Sequence, residues 1–130
     1  MTLLCDAGYE VLIETGGHMD IAEIDTRVKR IMDIKCPGSG ESEKNYWKNL
    51  NNIKKSDQIK FVISDREDYD WAKGILEKYN LNKKCPILMS PNFHEINNIT
   101  LAEWILSDRL DVRFQLQMHK YIWPSDQRGV

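Results

Sequence analysis

The sequence predicts an α/β fold in which parallel strands are covered by helices on at least one face. Short apolar runs rich in Ile, Val and Leu alternate with segments whose apolar residues recur at helical spacing. Each run ends near Gly, Pro, Ser or Asp, which is typical of strands. Strands that are separated by single helices form right-handed β-α-β units and a parallel sheet. The sheet is therefore either an α/β layer or part of a barrel.

Five apolar runs are predicted to be strands. They cover residues 9–15, 31–35, 59–64, 86–90 and 111–117. In the last run, apolar and polar residues alternate from Val112 to Gln117, so one face of that strand is apolar and the other polar. We favour a polar lumen for the second face. A solvated edge strand is the alternative, because edge strands are commonly charged.

Two helices are predicted to begin at capping boxes, in which Ser or Thr is followed three positions later by Glu. The first box covers residues 64–67, and the helix after it carries an apolar stripe that ends before Asn80, a plausible C-cap. The second box covers residues 100–103. The sequence therefore places one helix after the third predicted strand and one after the fourth.

Two further helical segments have weaker patterns. Residues 42–50 place Tyr46, Trp47 and Leu50 on one side of a possible helix. Residues 1–8 have the pattern of the last turns of an amphipathic helix closed by a C-cap glycine. We interpret residues 1–130 as a single partial domain, because a helix without an N-cap precedes a strand without a preceding partner.

Composition excludes several classes of protein. The chain has 130 residues, of which 42% are hydrophobic and 29% charged, and its net charge is −2. Such a chain has no basic field for nucleic acid or anionic lipid. It has no apolar run of the roughly 18 residues that span a bilayer, and no signal-peptide pattern. We therefore expect a cytoplasmic protein that binds neither nucleic acid nor membranes.

The three cysteines, Cys5, Cys36 and Cys85, lie far apart in the sequence. No pair has the close spacing with which a single loop wraps a zinc ion or an iron-sulfur cluster. We expect them to be small buried apolar residues, as free cysteines commonly are. The three histidines are equally isolated, so no metal site is expected from this chain alone.

Polar and glycine-rich segments follow four of the predicted strands. Because ligands of α/β sheets and barrels bind beyond the carboxyl ends of the strands, these segments form a candidate ligand rim. Each segment alone also fits ordinary turn chemistry. The segments cover residues 14–17, 35–40, 90–93 and 117–120.

Two charge patterns remain open to more than one interpretation. Glu14 and Lys35 could be an acid/base pair or a structural ion pair, and Lys35 could also form a Schiff base; their spacing does not decide. The acidic run at residues 65–70 is better explained by helix N-terminal charges that complement the helix dipole than by a metal site.

The last twelve residues are unusually apolar for a tail. Tyr121, Ile122 and Trp123 are adjacent, and we expect them to hold the tail against the domain. The α-carboxylate of Val130 would then be a charged hydrogen-bond acceptor in a pocket, and Gly129 would let the last peptide turn inward.

The strand-end motifs and the tail, taken in order, resemble the C-terminal half of 7-carboxy-7-deazaguanine synthase, a radical-SAM family. The resemblance covers essentially the whole chain. The residues that carry it are 13–17, 33–40, 59–63, 101–106 and 119–130.

The resemblance implies an incomplete (β/α) radical-SAM barrel with helices on its outer face. The family binds a 4Fe-4S cluster, S-adenosylmethionine and Mg²⁺, and a reductant such as flavodoxin supplies electrons. It converts 6-carboxy-5,6,7,8-tetrahydropterin to 7-carboxy-7-deazaguanine with loss of ammonia, in queuosine and 7-deazapurine synthesis. A homodimer is implied for the complete protein.

The resemblance also assigns roles to individual positions. Thr15 and the carboxylate of Val130 correspond to substrate contacts. The S-adenosylmethionine contacts fall on Gly17, Asp33, Ile34, Lys35, Ser90, Pro91, Asn92 and Phe93. The resemblance assigns no catalytic residue.

The chain departs from the family in one large respect. The C-x-x-x-C-x-x-C cluster motif, the Gly-Gly-Glu-Pro segment and the threonine expected on Mg²⁺ are missing from the sequence. We therefore expect a fragment of the enzyme or one part of a split enzyme, inactive alone. A pterin- or S-adenosylmethionine-binding module without turnover is one alternative, and an interaction protein that uses its first strand to recruit a partner is another.

Overall fold

A parallel sheet of five strands organises the computed structural model, which describes residues 1–129. The strands follow one another across the sheet in sequence order, with all their carboxyl ends at one edge. This confirms the predicted α/β class. The strands are β1 (Leu12–Gly16), β2 (Lys29–Ile34), β3 (Gln58–Ile63), β4 (Ile87–Pro91) and β5 (Arg113–Phe114).

Four α-helices accompany the sheet in the described chain. They are α1 (Thr2–Asp6), α2 (Arg66–Tyr79), α3 (Asn98–Ser107) and α4 (His119–Ile122). Helix α2 joins β3 to β4, and α3 joins β4 to β5, as the sequence predicts. None of the four is long and apolar enough to cross a membrane.

The structure corrects two of the predicted elements. The helix predicted at residues 42–50 is wrong: that segment forms two separate 3₁₀ turns, Ser42–Lys44 and Trp47–Asn51. The strand predicted at residues 111–117 is mostly wrong, since only Arg113–Phe114 pairs with β4. The apolar alternation of that segment is real, but the last bond to β4 is that from Gln115 N to Met89 O, at 2.9 Å, so alternation alone did not set the strand's length.

Both capping boxes were also placed wrongly. Helix α2 is capped by Asp65, whose carboxylate accepts a hydrogen bond from Asp68 N at 2.9 Å. Helix α3 is capped by Asn97, whose side chain accepts from Ile99 N at 2.8 Å. Asx side chains are strong N-caps, and each lies near the predicted start. The left-handed C-cap at Asn80, with φ of 53°, confirms the predicted end of α2.

The two faces of the sheet differ in polarity. On one face, alternate residues of β2 and β3, such as Met32, Ile34 and Phe61, are buried in the core beneath the helices together with Tyr69 of α2. Each such apolar side chain contributes about 1.5–3 kcal/mol when fully buried. This face therefore supplies most of the hydrophobic stabilisation.

The opposite face of the sheet carries mainly polar side chains. Strand register places Glu14, Asp33, Lys60 and Ser90 on this face. The polar side of β5 joins it, because Arg113 lies beside Leu88 in register. The predicted polar face of the last strand is thus present. Strand β5 is also an edge of the sheet, as is β1, so the edge-strand alternative holds as well.

A buried ion pair ties the loops at the amino ends of the strands. Arg30 is 3% exposed and Asp57 is fully buried, and their nearest charged atoms lie 3.7 Å apart. Asp57 accepts from Arg30 N and Lys54 N, at 3.0 and 2.8 Å, while the Arg30 guanidinium donates to the carbonyls of Ile24 and Asn52. In the described chain, the β1–β2 and β2–β3 connections contain no α-helix, and these bonds organise them instead.

The tail makes fewer contacts than predicted. Tyr121 Oη accepts from Asn98 Nδ2 at 2.8 Å, and its ring meets Phe93 edge-on with centroids 5.1 Å apart. Ile122 and Trp123, however, are 62% and 43% exposed. Tyr121 is 53% exposed as well, so the prediction that all three residues pack inward is wrong, although Tyr121 keeps its two contacts with the domain. Val130 lies outside the described residues.

Replacing Asp57 with alanine will destabilise the fold by about 3–5 kcal/mol, because the change leaves the Arg30 charge buried and two amides without their acceptor. Urea unfolding followed by circular dichroism measures the loss. Glu41→Ala is the control: it removes an exposed partner of Lys44 and will cost under about 1 kcal/mol. Equal stability of the two variants would contradict a structural role for the buried pair.

Candidate functional site

A small polar cleft lies at the carboxyl edge of the sheet. Its volume is about 230 Å³, and segments that follow β2, β3, β4 and β5 contribute to its wall. The lining residues are Asp33, Ile34, Lys35, Cys36, Ser39, Val62, Ser64, Asn92 and Gln117. The carboxyl ends of four neighbouring strands therefore converge on one site, as the rule for α/β sheets predicts.

Three buried oxygen atoms at this edge have no hydrogen-bond partner within the described residues. They are Asp33 Oδ1, Ser90 Oγ and Gln117 Oε1. Asp33 and Gln117 line the cleft, and Ser90 lies beside Val62, another lining residue, in the strand register. A buried polar group without a partner costs about 1–3 kcal/mol. The site is therefore suited to a ligand that donates N–H or O–H groups.

Lys35 forms an ion pair with Asp33. Its Nζ lies 2.6 Å from Asp33 Oδ2, which leaves the second carboxylate oxygen for another donor. The partner of Lys35 is therefore Asp33 and not Glu14, which lines a different cleft. Main-chain atoms of Lys35 are held by Asn45, whose side chain accepts from its N–H at 3.0 Å and donates to its carbonyl at 2.8 Å.

Gly17 is packed tightly at the end of β1. Its N–H donates to Asp33 O at 2.8 Å, and its carbonyl accepts from Tyr46 N at 2.8 Å. A Cβ at this position would lie 3.1 Å from both Asn45 Oδ1 and Asp33 O. Glycine is therefore needed for close packing, and both backbone polar groups are already bonded within the protein.

Asp68 connects two segments next to the cleft. It is fully buried in the first turn of α2, and its carboxylate accepts from Gly38 N at 2.7 Å and Ser64 N at 3.0 Å. These bonds join the loop after β2 to the end of β3. The helix-dipole interpretation of the acidic run is thus incomplete: Asp65 caps the helix, whereas Asp68 connects two strand ends.

The cysteines are buried as expected, except that Cys5 is only partly covered. Burial, and secondarily the charge of Asp68, raises the pKa of Cys36 far above its usual range. Burial raises the pKa of Cys85 to about 11. Cys36 follows β2 at the carboxyl edge, while Cys85 precedes β4 at the opposite end of the sheet.

These positions do not fit an iron-sulfur cluster, which needs several thiolates close together. Nor do three His, Cys, Asp or Glu side chains within residues 1–129 come together as a metal-binding group. The unpaired acceptors of the cleft, in contrast, fit S-adenosylmethionine, whose amino and hydroxyl groups are hydrogen-bond donors.

The structure separates the predicted site residues into two groups. Asp33, Ile34, Lys35 and Asn92 line the cleft, and Ser90 lies next to it. The other predicted contacts lie elsewhere: Thr15 is in register with buried Met32 on the helix-covered face, Pro91 is buried at the end of β4, and Phe93 borders a separate cleft beside Tyr121.

Five cleft residues were not assigned as ligand contacts from the sequence: Cys36, Ser39, Val62, Ser64 and Gln117. Ser64 was interpreted as a helix cap, although it directly follows β3 and accepts from Asn92 Nδ2 at 3.0 Å. Gln117 belongs to a segment marked as part of the ligand rim. Gln117 lies on the polar side of the alternating segment at residues 112–117, and this alternation is the signal that could have identified it.

A larger cleft of about 760 Å³ adjoins the small one on the polar face. Glu14, Lys60 and residues 114–119 line it, and Gln117 borders both clefts. The chain after β5 therefore forms a wall of the sheet's polar face. Two adjacent spaces, a small one at the rim and a larger one over the face, are available to ligands.

Fold and site together define an α/β protein whose parallel sheet presents a polar cleft at its carboxyl edge. No family model matches the chain. It is similar to curated proteins named 7-carboxy-7-deazaguanine synthase: 43% identical to that of Chlorobaculum tepidum over 133 residues, and 40% identical to that of Koribacter versatilis over 143. Both alignments cover 100% of this chain, and 60% and 63% of the relatives.

A third relative, from Clostridium acetobutylicum, is 36% identical over 134 residues and is 60% covered. The predicted resemblance is confirmed, and the chain is a part-length relative of 7-carboxy-7-deazaguanine synthases. It spans about three fifths of the length of these relatives. This coverage agrees with the prediction that the resemblance concerns one part of the family's length.

Iodoacetamide at pH 8 will alkylate Cys5 rapidly in the native protein and will leave Cys36 and Cys85 unmodified, because only thiolates react and burial keeps these two thiols protonated. With a pKa of about 11, roughly one Cys85 in a thousand is ionised at pH 8. Mass spectrometry of tryptic peptides, with urea-unfolded protein as the control, measures this. Rapid native modification of Cys36 would contradict its burial.

Asp68→Ala will cost about 2–4 kcal/mol of stability, because two amides lose a charged acceptor. Hydrogen exchange at Gly38 and Ser64 will accelerate more than elsewhere in the sheet. Asp70→Ala is the matched control, since Asp70 lies on the same helix but pairs with Arg66 on the surface. If exchange at the two amides is unchanged in Asp68→Ala, Asp68 does not hold the strand ends together.

Proposed function

We propose that this chain forms the S-adenosylmethionine- and substrate-binding part of a 7-carboxy-7-deazaguanine synthase. The reaction is that of a radical-SAM lyase: conversion of 6-carboxy-5,6,7,8-tetrahydropterin to 7-carboxy-7-deazaguanine with loss of ammonia. The observation that supports this proposal best is the group of unpaired, buried acceptors at the carboxyl edge of the sheet. The similarity to named relatives over the whole chain supports the family.

The small cleft is assigned to S-adenosylmethionine. Its ammonium and sulfonium groups are cationic, and Asp33 offers a carboxylate oxygen that Lys35 does not occupy. Ser90 and Asn92 lie close enough to the same rim to bind further polar groups of the cofactor. Gly17 and Phe93 remain predicted contacts of the cofactor, with Gly17 acting through its close packing, and Thr15 remains a predicted contact of the substrate.

The larger cleft is assigned to the pterin. Gln117, at the junction of the two clefts, has a free amide oxygen that can accept from an N–H group of the pterin ring. Lys60 brings a positive charge to the same cleft, and it would attract the substrate carboxylate. The Val130 carboxylate remains a predicted acceptor for the adjacent N3–H and 2-amino donors of the ring.

S-adenosylmethionine supplies the 5′-deoxyadenosyl radical when a reduced cluster cleaves it. The described cysteines of this chain do not fit that cluster, so we propose that residues outside the chain hold it and that the chain is inactive alone. The Mg²⁺ ion, the flavodoxin-type reductant and the homodimer remain predictions for the complete enzyme. One subunit of a split enzyme is an equivalent arrangement.

The dispersed cysteines also favour a second candidate, a binding module that holds S-adenosylmethionine or a pterin without turnover. Its cleft chemistry would be the same. An assay of the chain joined to a cluster-binding segment of a relative distinguishes the two: formation of 7-carboxy-7-deazaguanine supports the enzyme, whereas binding without product supports the module.

Asp33→Asn will weaken S-adenosylmethionine binding by about tenfold or more, because the variant loses the charge that attracts the cationic cofactor while keeping the side-chain shape. Isothermal titration calorimetry of the purified chain measures the affinity, and the melting temperature checks the fold. Asp70→Asn, which neutralises an exposed carboxylate that pairs with Arg66 on the surface of α2, serves as the control and will change affinity less than twofold.

Anaerobic treatment of the same chain with iron and sulfide completes the test. We expect no 4Fe-4S spectrum and no 5′-deoxyadenosine, because the cysteines lie on different elements and at opposite ends of the sheet. A cluster that forms and cleaves S-adenosylmethionine would overturn the proposal that other residues must supply it. Wild-type and Asp33→Asn chains that bind the cofactor equally would overturn the assignment of the small cleft.

A further inference from the structure

A second cleft lies at the amino ends of β4 and β5, at the opposite end of the sheet from the candidate site. Its volume is about 670 Å³, a size typical of small-molecule sites. The cleft is formed by the turn before β3, the turn after α2 and the first residues of β4 and β5 with the residues just before them. Its lining residues are Lys55, Asn82, Lys83, Lys84, Cys85, Pro86, Ile87, Asp111, Val112 and Arg113.

The charge of this cleft is opposite to that of the whole chain. Four cationic side chains and a single carboxylate line it, although the net charge of the protein is −2. In the described chain, none of the four cations forms an ion pair, whereas eight other Lys and Arg residues do. Lys84 instead donates to the carbonyl of Leu50 at 3.3 Å. Like charges gathered without counterions attract anions.

The geometry of the cations limits the class of anion. Lys55, Lys83 and Arg113 are exposed and belong to three different segments around the opening. A chain of phosphates offers several anionic groups, which can contact cations on different segments at the same time, whereas a single phosphate or carboxylate offers one. Arginine binds phosphate through a two-pronged fork, and lysine binds it as a point charge. Pro86 and Val112 add an apolar wall at the same opening.

We propose that this cleft binds an oligophosphate, either free or as the phosphate chain of a nucleoside triphosphate. The cations hold the phosphate oxygens, and the apolar wall accommodates a base when one is present. This site is separate from the carboxyl edge and does not depend on the function proposed for that edge. A ligand can bind here without displacing one at the carboxyl edge, because the two clefts lie at opposite ends of the strands.

Calorimetric titration of the full chain with tripolyphosphate, ATP and AMP tests the proposal. We expect tripolyphosphate and ATP to bind at least tenfold more tightly than AMP at equal ionic strength, and to weaken as salt is raised. Equal affinities for tripolyphosphate and ATP identify the phosphate chain as the whole ligand. A tighter ATP complex shows that the apolar wall contributes as well. AMP binding as tightly as ATP would overturn the assignment to oligophosphates.

Charge-removing variants locate the site. Lys83→Ala and Arg113→Ala will each weaken tripolyphosphate binding about threefold, and the double variant about tenfold, in line with exposed ion pairs. Arg128→Ala removes the same charge from the exposed tail and will leave the affinity within twofold. Lys83→Gln retains the side-chain length and checks for misfolding through its melting temperature. No binding, or equal weakening by Arg128→Ala, would overturn the proposal.

Discussion

The hydrogen bonds of Asp68 hold the candidate site together. A single buried carboxylate in the first turn of α2 accepts from Gly38 N and Ser64 N, and so joins the loop after β2, the end of β3 and the start of the helix. A Cβ on Gly38 would lie 2.7 Å from this carboxylate, so the loop approaches as closely as glycine allows. Two segments that line the cleft, the loop after β2 and the end of β3, are therefore held together by this contact.

The β1–β2 and β2–β3 connections also depend on buried polar side chains, because they lack α-helices that could pack on the sheet. Asn49 is fully buried; its amide donates to the carbonyls of Gly17 and Met19 and accepts from Ile21 N. Asn45 plays the corresponding role for Lys35 at the rim. Buried polar side chains hydrogen-bond the backbone groups of these loops, which a helix would satisfy through its own hydrogen bonds. Without these side chains, several buried backbone groups would have no partner. Hydrophobic burial stabilises the helix-covered face of the sheet, and hydrogen bonds from buried polar side chains hold the loops in place.

The unpaired acceptors follow from the polarity of the sheet. Residues on the helix-covered face can be apolar throughout, since they contact only the core. On the opposite face, Asp33 and Ser90 are placed by the pleat where no helix can satisfy them. Together with Gln117, they leave three buried acceptors at the carboxyl edge without a donor among the described residues. A ligand with several N–H or O–H donors would satisfy these acceptors.

The sequence by itself determined the α/β class, the order of strands and helices and the strand ends at which the cleft lies. These depend on local periodicity and on the rule that parallel strands end at one edge. It also placed Lys35 and Asn92 at the rim through their strand-end positions, and Asp33 through a family resemblance. Only the tertiary structure showed that Asp68 is buried, that Lys35 pairs with Asp33, and that Thr15 lies on the helix-covered face. These facts depend on strand register and on partners about 30 residues away, such as Gly38 for Asp68, which no local pattern encodes.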